Sequence, residues 1–212
     1  MNKKINLLAG IAVAAVFLLV FNISAFSYRC SEIRSNVIRL HIIANSDAEA
    51  DQDIKLKVRD AILQESASIF DGSVNIENAA DKIIPELEHI ENIANKVIEI
   101  NKRNYKAEAS LVYEYFDTRT YNDSVTLPAG KYLALKVELG EAEGKNWWCV
   151  MFPSLCLPAA EKSGYENINQ VFENDELSII QDKSKYEVRF KIIELLESLK
   201  SKGDKIRKGD IV

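Results

Sequence analysis

Two histidines, three cysteines and two adjacent tryptophans are the scarce side chains in this sequence that could support chemistry. His41 lies in an apolar run close to Ser46 and Asp47, which offers the residue types of a hydrolytic triad. Closeness in sequence is not triad geometry, however, and no G-x-S-x-G elbow is present. The plainer reading makes His41 a structural strand histidine and Ser46 a helix N-cap. His89 falls on a helix-patterned segment far from both. Cys149 and Cys156 do not combine with the histidines in a zinc spacing, so no metal site is expected. Carboxylate pairs such as Asp51/Asp53 and Glu141/Glu143 are too abundant to single any one out. No Gly-rich phosphate loop follows a strand, so no cofactor is expected either. The sequence therefore points to a protein that is not an enzyme and acts by contact.

The elements that must hold these residues begin with a membrane-directed segment. Lys3 and Lys4 precede an uncharged stretch from Ile5 to Tyr28, apolar almost throughout to Phe21. A core helix would show a polar face, and this one has none. Ala25-Phe26-Ser27 suits signal cleavage after Ser27, whereas Ile5 to Phe26 as a helix spans about 33 Å, enough for an uncleaved anchor. A cleavable signal is favoured, with the anchor as its alternative. The expected organisation is residues 1–27 as a signal peptide or membrane anchor, one α+β domain at 28–200 and a flexible tail at 201–212. The net charge is −5 and becomes −7 without Lys3 and Lys4. An acidic chain without clustered Lys and Arg is a poor nucleic-acid binder.

Val37 to Ala44 is a β-branched run that reads as a buried strand. Ser46 and Glu49 form a capping-box pair that predicts a helix from Asp47 to about Ile69. A second helix, from Asn75 to about Arg103, carries apolar residues at steps of three and four. Pro85 predicts a kink or break within it, and Asn104 is the expected left-handed residue beyond its end. The period changes to two over 107–116, and further strands are expected over 131–139 and 146–152. Residues 159–182 give little periodic signal, and a last helix is expected over Glu187–Lys200. The fold class is therefore α+β: a small, mainly antiparallel sheet packed with helices, preceded by a hydrophobic export helix.

Trp147 and Trp148, adjacent on a strand, must point to opposite faces. One can enter the core while the other stays on the surface as a contact hot spot. An exported domain favours a disulfide between Cys149 and Cys156 over a pair of buried free thiols. Closing that loop would contribute roughly 2–3 kcal/mol in the chain-entropy description.

Ile38-Arg-Leu-His-Ile-Ile-Ala-Asn-Ser-Asp47, Asp51-Gln52, Lys55 to Asp60, Leu127-Pro-Ala-Gly-Lys-Tyr132 and Asn146-Trp-Trp-Cys-Val-Met-Phe-Pro153 with Leu155-Cys156 carry a resemblance. Together they resemble the stage II sporulation protein R family of endospore-forming bacteria. Ala142, where that pattern expects glycine, and Ser154, where it expects a second proline, depart from it. The resemblance implies a protein made in the forespore and secreted into the space between the two sporangial membranes. There it would activate a membrane-embedded aspartic protease of the mother cell, triggering cleavage of pro-sigma-E. Asn45, Ser46, Asp47, Trp147 and Trp148 are the expected partner-contact residues. A cell-wall binding module and an exported hydrolase are the alternatives.

Overall fold

The computed structural model describes residues 3–69, 75–121, 123–153 and 168–209. Helix α1 (Lys3–Ser35) is followed by β1 (Ile38–Ile43), α2 (Glu49–Ile69) and α3 (Ile76–Ile100). Strands β2 (Ala107–Phe116), β3 (Arg119–Tyr121), β4 (Val125–Leu127), β5 (Gly130–Leu139) and β6 (Asn146–Phe152) come next. Helices α4 (Asn174–Gln181) and α5 (Lys183–Gly209) close the chain. The fold is α+β, as the sequence pattern implies.

The principal sheet has the order β2-β5-β1-β6, and β3–β4 form a separate antiparallel hairpin. β1 runs parallel to β5, while β2–β5 and β1–β6 are antiparallel. A parallel β1–β5 pair needs a long crossover, which α2, α3 and β2 supply. Being central and covered on both faces, β1 reads as a continuous apolar run and not an alternating one.

Each face of the sheet has its own core. Ile38, Leu40, Ile42, Leu135, Val137 and Leu139 meet Ile54, Val58 and Ile62 of α2 and Ile83, Ile90, Ala94 and Ile98 of α3. On the opposite face Tyr132, Ala134, Val150 and Phe116 meet Phe26, Cys30 and Ile33 of α1, with Ile179, Ile180, Phe190 and Ile193 of α4 and α5. Helix α1 is long and apolar enough to cross a membrane, and its early side chains, from Leu7 to Phe21, are exposed. It also runs unbroken across the expected boundary at residue 27. Phe26 stacks on Tyr186 at 5.6 Å and meets the edge of Phe190 at 5.7 Å.

Several expected boundaries differ from the structure. Helix α3 continues through Pro85, because apolar residues on both sides of the proline, Ile83 and Ile90, are held in the same core. It closes two residues earlier than expected: Lys102, not Asn104, takes the left-handed conformation at φ 58°. The Arg103 N–H donates to Ile98 O at 3.2 Å and the Lys102 N–H to Glu99 O at 2.8 Å, a Schellman closure. Helix α4 lies in a stretch without useful periodicity. Helix α5 starts four residues before the expected Glu187 and extends to Gly209, since Lys and Arg are good helix formers without an apolar face.

Candidate interaction site at one end of the sheet

Where β1 ends, the chain turns through Asn45, Ser46 and Asp47, and these side chains close a knot around Asp51. Asn45 Nδ2 and Ser46 Oγ donate to Asp51 Oδ2 at 2.8 and 2.7 Å, and Tyr105 OH donates to Oδ1 at 3.1 Å. The expected Ser46–Glu49 capping box is not what forms. Ser46 Oγ accepts the Ala48 N–H at 3.2 Å while giving its own proton to Asp51 in a charge-assisted bond. Burial opposes ionisation of Asp51. The bonds from Asn45, Ser46 and Tyr105, with the Arg103 charge, outweigh it and hold the carboxyl below its usual range.

The same turn grips the β5–β6 loop. Ala44 O accepts the Gly144 N–H at 2.9 Å, and Asn45 O the Glu143 N–H at 3.2 Å. Asn45 Oδ1 accepts the Glu141 N–H at 3.0 Å and Asp47 Oδ1 the Lys145 N–H at 2.8 Å. Buried Lys55 donates to Gln52 Oε1 at 2.6 Å and to Lys145 O at 2.9 Å. The close approach dictates composition: a Cβ on Gly144 would lie 2.3 Å from Ser46 O. Ala142 sits in the left-handed region at φ 52°, so the departure from the expected glycine falls where glycine has a conformational advantage.

β6 begins beside this turn, Asn146 pairing with Ile43, Trp147 with Ile42 and Trp148 with His41. The two tryptophans take opposite faces. Trp147 packs on the α2–α3 core beneath Arg59, whose guanidinium lies 4.4 Å from the ring centre. Trp148, half-buried, stacks on His41 with centroids 3.6 Å apart and meets the edge of Phe116 at 4.8 Å. Both imidazole nitrogens of His41 are engaged, Nδ1 with Glu114 Oε2 at 2.6 Å and Nε2 with Asn146 Oδ1 at 2.7 Å. Neither Ser46 nor Asp47 is among its partners. Beneath them Arg39 is fully buried, its Nε donating to Cys149 O at 3.0 Å. Its guanidinium also bonds the Tyr121 hydroxyl and lies 4.3 Å from the Phe116 ring centre. Burial lowers its pKa. Arg39 thereby ties the β3–β4 hairpin to the sheet.

All five expected contact residues thus cluster at one end of the sheet, but Asn45, Ser46 and Asp47 spend their side chains on internal bonds. Cys149 is disulfide-bonded; its expected partner Cys156 lies outside the described residues, and Cys30 is free and buried. No group of three or more metal-ligating side chains occurs among the described residues. Sequence reasoning passed over Asp51, Glu114 and Asn146. Asp51 was legible in one respect: it precedes Ile54, Val58 and Ile62 by 3, 7 and 11 positions, so a carboxylate sits in the apolar stripe of α2.

Residues 34–162 match the family model described as stage II sporulation protein R, which takes in β1 through β6 with the Asp51 knot and the Trp148–His41 stack. The chain belongs to the stage II sporulation protein R family. It is 38% identical over 124 residues to stage II sporulation protein R of Bacillus subtilis (strain 168), covering 58% of this chain and 55% of that relative. The chain thus spans about half the length of the curated relative it matches. No solved structure matches it.

Proposed function

We propose that the chain is an exported signalling protein. In this reading it is made in the forespore and delivered across the membrane by α1, and its sheet domain contacts a membrane-embedded aspartic protease of the mother cell. That contact activates cleavage of pro-sigma-E. The observation that carries the reading is Trp148. It is a half-buried aromatic held rigid by the His41 stack and the Phe116 edge, and a preorganised aromatic of this kind loses little entropy on binding. Membership of the sporulation family supports the pathway. Shifting a protease from 1:99 to 99:1 active requires about 5.5 kcal/mol of differential affinity, which a few such anchors supply.

The structure also bears on whether α1 is retained. Cleavage after Ser27 would strip Phe26 from its contacts with Tyr186 and Phe190, so the uncleaved anchor is the reading proposed here. Two rivals are disfavoured. A wall-binding platform needs tryptophans sharing a face, and these two take opposite faces. A hydrolase needs a base beside a nucleophile, and both nitrogens of His41 are taken by Glu114 and Asn146.

The test is a non-sporulating host producing the protease and pro-sigma-E, with and without this chain. Processing that depends on the chain supports the reading. Absence of processing, with folded chain shown to be exported, would remove it.

A further inference from the structure

Strand β2 lies at one edge of the sheet, so one row of its backbone groups faces away from β5. Exposed edges invite pairing with another chain, and proteins ordinarily cover them. Here only the first part is covered. The outward N–H of Ala107 donates to Asn95 Oδ1 at 2.8 Å and that of Ala109 to Glu91 Oε1 at 2.9 Å. The two acceptors are four residues apart on α3. The next position at that spacing is Leu87, which has no acceptor to offer. With a period of two, the same edge presents the N–H groups of Leu111, Tyr113 and Tyr115. Among the described residues no group meets them on that side.

Two further observations mark this half of the edge. Tyr113 is 76% exposed, unusual for a large aromatic on a strand. Beside it lies a groove of about 390 Å³ between the start of α3 and the end of α1, lined by the charged Arg34, Glu77 and Lys131 as well as by Ile76, Ala80 and Leu133. Leu133 pairs with Tyr113 across the β2–β5 ladder, so the groove lies on the β5 side of Tyr113 and not beyond the edge.

We infer that residues 111–115 of β2 are a strand-addition site that takes an extended segment of the protease partner. This rests on the activator reading. The occupant follows from chemistry: outward-facing amides at every second residue over about 14 Å are satisfied by an extended backbone. A helix could offer them only side-chain acceptors, as α3 does at Ala107 and Ala109.

Tyr113→Pro removes one outward N–H and leaves the β5 ladder intact, since proline is tolerated on edge strands. Tyr113→Thr keeps the N–H and serves as its control. In the processing host, the full chain carrying Tyr113→Pro is expected to lose at least about tenfold in processing, and Tyr113→Thr far less. A photo-crosslinking phenylalanine analogue at position 113 gives an independent readout, and its adducts should map to one short segment of the protease. Wild-type processing with an equally active Tyr113→Pro chain overturns the inference. So do adducts joining two copies of this chain, or adducts to its own residues 201–212. Failure of the wild-type chain to support processing removes the activator reading instead, while adducts to the protease would still uphold the strand-addition site.

Discussion

Replacing Asp51 tests whether the turn after β1 is a structural knot. The carboxylate is 5% exposed and receives three hydrogen bonds, from Asn45, Ser46 and Tyr105. Hydrogen bonds to a charged group contribute about 1.5–3 kcal/mol each, but the three share one acceptor and do not add fully. Asp51→Ala, which leaves three donors without a partner, should therefore cost about 3–5 kcal/mol. For a chain of this length that is roughly 10 °C in melting temperature. Asp51→Asn keeps the shape and one accepting oxygen, and should lose about 2 kcal/mol.

The pH dependence has a definite sign. Because the folded carboxyl lies below its ordinary value, its contribution is present above about pH 4 and is lost as pH falls through the depressed value. The stability gap between wild type and Asp51→Asn should narrow from pH 5 downward. Urea unfolding of the full chain in mild detergent, followed by tryptophan emission, measures both quantities. An alanine variant within 1 kcal/mol of wild type, or a gap that widens as pH falls, would refute the reasoning.

Ala142→Gly should raise stability by about 0.5–1 kcal/mol, read from the same unfolding curves, because it relieves a left-handed alanine. Gly144→Ala should lower it by about 2 kcal/mol or more, since the new methyl meets a backbone carbonyl 2.3 Å away. Trp148→Ala should abolish protease activation while Trp147→Ala chiefly costs stability, about 2 kcal/mol; processing and unfolding assays on both variants separate the two roles. His41→Gln should weaken activation only as far as it loosens Trp148. Complete loss in a variant of unchanged stability would favour a hydrolase instead.

The parts of this fold that were legible in the sequence are those with one dominant period. The β1 run, the steps of α3 and the alternation of β2 each repeat one pattern long enough to override local noise. The opposite orientation of Trp147 and Trp148 follows from strand geometry alone. Legibility failed where tertiary partners decide. Ser46 turned from Glu49 to a buried carboxylate two residues farther on, and helix α3 was not broken at Pro85 because its core contacts resume within two turns. The turn at Lys102 was set by its closing hydrogen bonds and not by the more suitable Asn104. At the site itself, the tryptophans and the β1 turn were found from residue type. Glu114 and Asn146 were not, because polar residues at strand ends carry no periodic signal and acquire meaning only through His41.

The central claim is that the chain acts from beyond the membrane through α1. Val13 and Val16, both exposed on α1 well before Phe26, can be changed to lysine without touching the folded core. Each charge raises the cost of membrane insertion by about 2.5–3.5 kcal/mol. The most direct measurement is pro-sigma-E processing in the reconstituted host with wild-type chain and with the double-lysine variant at equal abundance. The account predicts processing with the wild-type chain and none with the variant, which should accumulate inside the cell. Equal processing by the retained variant would contradict it.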